Sequence, residues 1–360
     1  MKRIRFLNSV LRRNDEGVIH TVANLVDLVK GETVAVIRMI DAVRDALREE
    51  MERDANVVLM GEDIGVNGGV FRATDGLWQT FGDERVMDTP LAESGIVGVA
   101  IGAALNGLRP VAEIQFVDFI YPAFNQIVSE AARHCYRTNG EYPVPMVIRA
   151  PFGGGVHGGL YHSQSVEAFF LHVPGLKVVI PSNPYDAKGL LKSAIRDNNP
   201  VLFFEHKRGY SSVQGEVPED NYVVPIGQAN LLREGEQISL ISYGLSVRDC
   251  LEAAQVMEQE GVDCEVVDLR TISPLDKDTV LNSVRKTGKV CIVHEDNLTG
   301  GVGAELAAII AKEAFGSLDG PIHRVAAPDI PSFPYNPGME EFCLPSVEDI
   351  TKAIRELAAY

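Results

Sequence analysis

Residues 88–105 place one carboxyl group, Glu93, at the start of an otherwise apolar segment. Apolar side chains at positions 96, 97, 99–101 and 103–105 predict a helix that is buried on most sides. Burial disfavours the charged form of a carboxyl group, so such a group either pairs with a cation or shares a proton with a ligand. Glu93 is therefore a candidate for general acid–base chemistry. The alternative is a solvent-exposed glutamate that the helix dipole stabilises.

A glycine-rich stretch, residues 153–165, carries a second candidate, His162. It follows a predicted strand and precedes a predicted helix, and open parallel sheets bind ligands beyond the carboxyl ends of their strands. The stretch lacks both the lysine of a P-loop and the G-x-G-x-x-G pattern. We interpret it as a flexible loop that delivers His162 as a proton donor, with Ser163 as the cap of the next helix. A hydrogen-bonded loop histidine is the alternative, and for His157 it is the favoured one.

Three further motifs carry weaker signals. Glu62 and Asp63 form an acidic turn after a buried strand, where solvation or helix capping is the commoner role. The segment His294-Glu295-Asp296 lacks the H-E-x-x-H spacing of zinc peptidases. Gly300-Gly301 opens a predicted helix, and we interpret it as a structural turn.

The elements that must position these residues alternate between short apolar strands and amphipathic helices. This alternation predicts an α/β fold with a parallel sheet that is covered on both faces. We expect a first domain over residues 34–208, a linker over 209–226 and a smaller α/β domain over 227–360. The proline-rich segment from 328 to 345 is expected to be a loop. Residues 1–33 are more basic than the rest, and we interpret them as a non-native or disordered leader.

Composition limits the class of partner. The chain has 360 residues, a net charge of −17 and five scattered cysteines without a C-x-x-C pair. The acidic balance disfavours nucleic acid as a partner, and no apolar run reaches the length of a membrane span. Scattered cysteines are typical of a reducing compartment. We therefore expect a cytoplasmic protein if the source is bacterial, or a mitochondrial-matrix protein if it is eukaryotic.

Several motifs, in order, carry a resemblance to a known family over nearly all of residues 37–360. They are DTPLAESG (88–95), AEIQF (112–116), YHSQS (161–165), AIRDNNP (194–200) and DLRT (268–271). With them the chain resembles the beta subunits of thiamine-diphosphate-dependent 2-oxo acid dehydrogenases. The resemblance implies a transketolase-like fold, in which a pyrimidine-binding domain precedes the C-terminal domain. The segments 115–126 and 156–170 are more similar to the branched-chain enzymes than to the pyruvate enzymes.

The resemblance also implies roles for individual residues. Glu93 would hydrogen-bond N1′ of the cofactor's aminopyrimidine, and Leu91, Gln115 and Phe119 would line the pyrimidine pocket. Many relatives have tyrosine where this chain has Phe119. His162 would assist substrate binding or acyl transfer to lipoamide. A structural potassium ion would be held by the side chain or carbonyl oxygens of five residues, namely Met146, Ala194, Ile195, Asp197 and Asn199.

One family motif is missing from this chain. The diphosphate and magnesium site uses Gly-Asp-Gly followed by an asparagine, and the sequence contains no Gly-Asp-Gly. The resemblance therefore implies an alpha subunit that supplies this half of the site in an α2β2 tetramer. It also implies that a dihydrolipoamide acyltransferase core docks on the complex.

The resemblance implies oxidative decarboxylation of branched-chain 2-oxo acids, with acyl transfer to lipoamide, as the reaction. Pyruvate or acetoin is the alternative substrate within the class. A non-catalytic scaffold of the same fold is the alternative from another class, and the presence of both Glu93 and His162 weighs against it. The missing diphosphate motif weighs against a self-sufficient transketolase-like enzyme.

Overall fold

The computed structural model describes residues 34–360. The leader predicted over residues 1–33 therefore lies outside the described residues. Within the described range, no helix is both long and apolar enough to cross a membrane.

Strands and helices alternate along most of the described chain. The strands are β1 (Val34–Arg38), β2 (Val57–Gly61), β3 (Val86–Asp88), β4 (Arg109–Glu113), β5 (Val147–Phe152), β6 (Lys177–Val179), β7 (Val201–His206), β8 (Gln214–Pro218), β9 (Asn230–Arg233), β10 (Ile238–Ser242), β11 (Cys264–Asp268), β12 (Thr271–Ser273), β13 (Val290–Asn297) and β14 (His323–Ala327). The α-helices are α1 (Met39–Arg53), α2 (Leu77–Phe81), α3 (Glu93–Leu105), α4 (Ala132–Arg137), α5 (Glu167–Leu171), α6 (Pro184–Arg196), α7 (Gly209–Ser212), α8 (Ser246–Gln259), α9 (Lys277–Thr287), α10 (Val302–Glu313), α11 (Pro337–Cys343) and α12 (Val347–Ala358). Short 3₁₀ helices cover Val117–Phe119, Tyr121–Ala123, Gly159–Tyr161 and Phe315–Ser317, and a π-helix covers Gln126–Ala131.

The larger sheet has the strand order β12-β6-β7-β5-β4-β2-β3. All neighbouring pairs in it are parallel except β12 with β6. Strands β2, β5 and β7 are buried along their whole length, as is typical of parallel strands that are covered on both faces. The predicted α/β class is confirmed.

Helices cover both faces of this sheet. On one face, Val43 and Leu47 of α1 share an apolar cluster with Leu190 of α6. Helix α6 begins after Asn183, whose side chain accepts a hydrogen bond from the backbone N–H of Asp186. This is the capping that fixes a helix start. On the other face, the buried side of α3 packs into a separate cluster.

The smaller sheet belongs to the second half of the chain and has the order β14-β13-β10-β11-β9. Only β9 runs antiparallel to its neighbour. The second half also contributes a strand to the larger sheet. Strand β12 is its edge strand and pairs with β6 through Thr271 and Val179. The C-terminal half therefore helps to complete the sheet that carries the site.

Two segments differ from what the sequence patterns predict. Residues 209–226, expected to be a linker, contain α7 and β8, and β8 pairs antiparallel with β1. Local periodicity is weak there because β8 pairs only with β1, in a separate two-stranded sheet, and is buried at few positions. The expected loop over 328–345 contains α11, which begins after Asn336, whose side chain accepts a hydrogen bond from the Met339 N–H.

Candidate active site

Glu93 is the first residue of α3, and its side chain is only 8% exposed. Strand β3 ends at Asp88, and five residues later the chain begins the helix, which is apolar on its buried side. The loop is fixed to the neighbouring strand because the Thr89 N–H donates to the Gly61 carbonyl oxygen at 2.9 Å. The structure therefore gives Glu93 the buried position that the sequence predicted.

A second carboxyl group, Glu62, lies near Glu93. It follows β2, which is the sheet neighbour of β3, with Gly61 paired to Asp88. Burial raises the pKa of Glu62, and the nearby charges of Glu93 and then Asp63 raise it further. Its Oε1 atom is buried and has no hydrogen-bond partner among residues 34–360. The sequence pattern alone does not indicate this role for Glu62, because an acid in a turn after a strand is usually solvated.

His162 packs against two aromatic rings. The centroid of its imidazole lies 4.4 Å from that of Phe116 and 5.6 Å from that of Phe119, and both contacts are edge-to-face. Phe116 follows the end of β4, and Phe119 lies in the first 3₁₀ turn after it. The structure thus brings His162 and Phe119, two residues predicted for the site, into contact.

The other two residues predicted to line the pyrimidine pocket, Gln115 and Leu91, are more exposed to solvent than Glu93. Gln115 is half-buried just after β4, whereas the side chain of Leu91 is 79% exposed. An apolar pocket of about 240 Å³ lies beside the start of α3. It is lined by Met60, Met87, Thr89, Pro90, Ala92, Gly95, Ile96 and Val99. Because β5, β4, β2 and β3 are parallel neighbours, every loop that carries these residues leaves the same edge of the sheet.

A buried ion-pair network braces this edge. The guanidinium of Arg149 contacts Glu205 through two bonds of 2.7 Å and Glu113 through one of 2.6 Å, and the Tyr210 hydroxyl donates to Glu205 at 2.6 Å. Burial by itself lowers the pKa of Arg149, but the two carboxylates raise it well above its usual value. Burial raises the pKa of Glu113. No sequence pattern indicates this network, because its members lie on three separate strands and on α7.

Lys207 has a buried side chain next to Phe116, one of the two aromatic rings that contact His162. Its Nζ lies 5.9 Å from the centre of the Phe116 ring and 3.6 Å from Asp118 Oδ2. Burial lowers the pKa of Lys207 to about 8, although Asp118 and two more distant carboxylates partly oppose this effect. Asp118 also accepts a hydrogen bond from the Gln164 N–H at 3.0 Å, and this bond connects the 3₁₀ turn of Phe119 to the loop of His162.

The loop of His162 is held differently from the prediction. Ser163 does not cap a helix, because α5 begins at Glu167 after an N-cap at Val166. The Ser163 hydroxyl instead accepts a hydrogen bond from the Gly158 N–H and donates to Glu340 Oε1 at 2.8 Å. Glu340 lies on α11, more than 170 residues further along the chain, so no local pattern indicates this partner.

The five residues predicted to hold potassium lie at the other ends of the strands, near the starts of β5 and β7. Met146 precedes β5 and Asn199 precedes β7, while Ala194 and Ile195 are in the last turn of α6. The Val201 N–H donates to the Met146 carbonyl, and this hydrogen bond joins the two strands there.

Cations of the protein itself contact part of this set. Arg109 donates to the Ile195 carbonyl at 3.0 Å and to the Asp197 carbonyl at 2.9 Å. Lys177 pairs with the Asp197 carboxylate. Among residues 34–360, no group of three or more His, Cys, Asp or Glu side chains forms a metal site. Any metal here would therefore depend on carbonyl oxygens.

Comparisons with known proteins agree with this architecture. Residues 35–212 match the family "Transketolase, pyrimidine binding domain", and residues 227–350 match the family "Transketolase, C-terminal domain". A solved structure described as a split-gene transketolase, inactive beta4 tetramer, aligns with a TM-score of 0.73 at 24% identity. The alignment covers 89% of this chain and 98% of that one. The fold and the site edge thus define a two-domain α/β protein of the transketolase type.

Sequence relatives narrow the class. The chain is 57% identical over 327 residues to the 2-oxoisovalerate dehydrogenase subunit beta of Bacillus subtilis, covering 91% of this chain and 100% of the relative. It is 50% identical to the pyruvate dehydrogenase E1 component subunit beta of the same organism, with the same coverage. The chain belongs to the family of beta subunits of the 2-oxo acid dehydrogenases.

Proposed function

We propose that this chain supplies the pyrimidine half of a thiamine-diphosphate site in a dehydrogenase for branched-chain 2-oxo acids. The observation that supports this most directly is the position of Glu93, a buried carboxyl group at the start of α3 beside an apolar pocket. The family to which the chain belongs includes the beta subunits of a 2-oxoisovalerate dehydrogenase and of a pyruvate dehydrogenase, which supports the proposal.

The residues at this edge fit an aminopyrimidine. The pocket beside α3 is apolar, and the buried Oε1 of Glu62 has no partner among the described residues. Buried polar atoms are normally paired, so this atom marks a place where a polar ligand group would bind. Glu93 would hold the proton at N1′ of the ring, with Leu91, Gln115 and Phe119 bordering it. Thiamine diphosphate, when bound, supplies the electron sink that lets the carboxylate carbon leave as CO₂.

His162 would act on the substrate side of the site. Its ring packs edge-to-face against Phe116 and Phe119, which restricts the rotation of the ring. An imidazole at this position can donate a hydrogen bond to the substrate or pass a proton during acyl transfer to lipoamide. Phe119 has no hydroxyl group, so in this chain it can contribute only shape and apolar surface.

The site requires a second subunit in this proposal. The chain has no Gly-Asp-Gly to hold a magnesium diphosphate. Large apolar side chains near the site residues in sequence are also exposed, including Leu91 at 79%, Val99 at 65% and Tyr161 at 55%. Exposed apolar side chains of this kind are typical of a subunit interface. We infer that an alpha subunit covers this face in an α2β2 tetramer and adds the Mg²⁺ site.

Branched-chain substrates are favoured over pyruvate by the higher identity to the 2-oxoisovalerate relative, 57% against 50%. Pyruvate is the second candidate because the pyruvate relative covers the chain equally well. The test is a panel of 2-oxo acids offered to the complex of this chain with its alpha subunit. A kcat/KM for 2-oxoisovalerate well above that for pyruvate supports the proposal, and the reverse order supports the second candidate.

We also propose that the chain binds a structural potassium ion. The carbonyls of Met146 and Ala194 each accept one backbone hydrogen bond, which leaves each a second lone pair. With the oxygens of Asp197 and Asn199 they form a donor set that suits a hard cation. The Ile195 carbonyl completes the predicted set, and a bound potassium ion would compete with Arg109 for this oxygen and with Lys177 for the Asp197 carboxylate. Potassium chloride should raise the melting temperature relative to tetramethylammonium chloride, and Asp197→Asn should remove that difference.

The remaining parts of the proposal concern location and assembly. We infer that the complex docks on a dihydrolipoamide acyltransferase core and, in a bacterial source, works in the cytoplasm. Co-purification of the tagged chain with an acyltransferase from its source tests the first point. Cell fractionation tests the second.

A further inference from the structure

Glu340 holds the backbone of the loop that carries His162. Its Oε1 accepts hydrogen bonds from the Gly155 N–H at 3.0 Å and from the Ser163 hydroxyl at 2.8 Å. Its Oε2 accepts the His157 N–H at 2.9 Å and lies 2.7 Å from Nδ1 of the same residue. The carboxylate is completely buried, and both of its oxygens are used by this loop.

The loop depends on such outside partners because it lies in no sheet and contains only one short 3₁₀ turn. Backbone N–H groups that lack a partner are costly when buried, so the Glu340 carboxylate replaces the missing secondary structure. His157 has a left-handed backbone with φ of 58°, and its N–H bond to Glu340 fixes this unusual conformation.

The contacts of Glu340 continue directly to His162. Ser163, the next residue, receives the Gly158 N–H and bonds to Glu340, which closes the loop around the histidine. Gly158 lies so close that a Cβ there would be 2.3 Å from the Cβ of His162. The backbone position of His162 is therefore set by a chain of contacts that ends at Glu340.

A second acid of the C-terminal half holds the other part of the loop. Glu295 Oε1 accepts the Gly154 N–H and, at 3.2 Å, the Ser165 hydroxyl. Its Oε2 lies 2.7 Å from His206 Nε2. Burial alone raises the pKa of Glu295, but His206 and the Gly154 N–H lower it below its usual value. Both acids come from the C-terminal half, whereas the loop belongs to the first domain.

We propose that Glu340 is a positioning residue for His162 and that the C-terminal domain in this way controls the acyl-transfer side of the site. The role of His162 in this statement rests on the proposed function, but the hold on the loop does not. The domain that adds β12 to the larger sheet thus also fixes a residue of the site.

Hydrogen exchange tests, without any substrate, whether the hydrogen bonds to Glu340 stabilise the loop. In Glu340→Gln an amide N–H group replaces one accepting oxygen, so a donor faces either the Ser163 side or the His157 side of the loop. Amides of residues 153–163 in the complex with the alpha subunit should exchange about tenfold faster, since bonds to charged groups are the stronger kind. Glu341→Gln is the matched control, because Glu341 is exposed on the same helix. Unchanged exchange in Glu340→Gln would overturn the proposal.

Ser163→Ala provides a second, milder variant in case Glu340→Gln does not fold. It removes the hydroxyl that links Gly158 to Glu340 and leaves the buried carboxylate in place. It should also speed exchange in residues 153–163. Protection equal to that of the unaltered chain would count against the proposal.

A double-mutant cycle tests whether the hold acts through His162. With lipoamide as acceptor, Glu340→Gln should lower kcat about tenfold in the unaltered chain but have little effect in a His162→Ala background. Equal losses in both backgrounds would show a merely structural role and overturn the positioning claim. If the unaltered complex turns over no 2-oxo acid, the proposed function has failed, and the exchange experiment alone decides whether Glu340 holds the loop.

Discussion

Glu62 and Glu93 lie near each other beyond the carboxyl ends of the adjacent strands β2 and β3, and each glutamate is only 8% exposed. Burial raises the pKa of Glu62, and the charge of Glu93 raises it further. Two buried carboxyl groups side by side are unfavourable for folding alone. An arrangement of this kind is typical of a site where one of them exchanges a proton with a ligand.

Glu93→Gln should leave folding and assembly intact and reduce decarboxylation roughly 100-fold or more, the range typical for loss of a general acid–base group. The physical reason is that an amide cannot exchange a proton with the ring nitrogen. CO₂ release from 2-oxoisovalerate by the complex with the alpha subunit measures the effect. Glu84→Gln is the control, because Glu84 is exposed in the turn before β3. Near-normal turnover in Glu93→Gln would remove Glu93 from the mechanism.

The raised pKa of Glu62 gives a prediction for stability against pH. Because its folded-state pKa lies above the usual value of 4.5, the stability that Glu62 contributes is fully present below pH 4.5. It is lost as pH rises through the folded-state pKa. Glu62→Gln has no such loss, so its melting temperature should gain on that of the unaltered chain as the pH rises above 4.5. A difference that shrinks or stays constant over this range would contradict the prediction.

His162→Ala should lower the rate with lipoamide as acceptor roughly tenfold or more, since a proton donor is lost from the substrate side. The packing on Phe116 and Phe119 is also lost, so melting temperature must be measured in parallel. His172→Ala is the control, because His172 is exposed after α5. A lipoamide-dependent rate equal to that of the control would exclude His162 from the site.

Arg149→Met should destabilise the fold by about 3–5 kcal/mol, because it leaves two buried carboxylates without a cation. Arg149 is 1% exposed and bonds to both Glu113 and Glu205. Chemical denaturation of the purified chain measures the loss. Arg137→Met is the control, since its side chain is 51% exposed. A loss no larger than that of the control would show that the network is dispensable.

Sequence reasoning predicted those features that depend on neighbours along the chain. The alternation of apolar strands and helices predicted the parallel sheet, and the apolar run after Glu93 predicted its burial at a helix start. The glycine-rich loop was correctly placed after β5 and before α5. In each case the physical cause, periodicity or a strand–loop–helix order, is local.

The features that sequence reasoning missed depend on partners far apart in the chain. Glu340 and Ser163 are separated by 177 residues, and Arg149 and Glu205 by 56. Ser163 was predicted as a helix cap because serine before a helix usually is one, but a buried carboxylate competes for its hydroxyl. Strand β12 is three residues long, too short for an alternating pattern to be recognised.

The central claim is that this chain holds one half of a decarboxylating site and is inactive without the other half. The most direct measurement is CO₂ release from 2-oxoisovalerate, with thiamine diphosphate, Mg²⁺ and lipoamide as the acyl acceptor and oxidant, by the purified chain alone and after addition of its alpha subunit. We expect no release by the chain alone, and release by the complex that falls roughly 100-fold or more in Glu93→Gln. Turnover by the chain alone, or a complex that is equally active with Glu93→Gln, would contradict it.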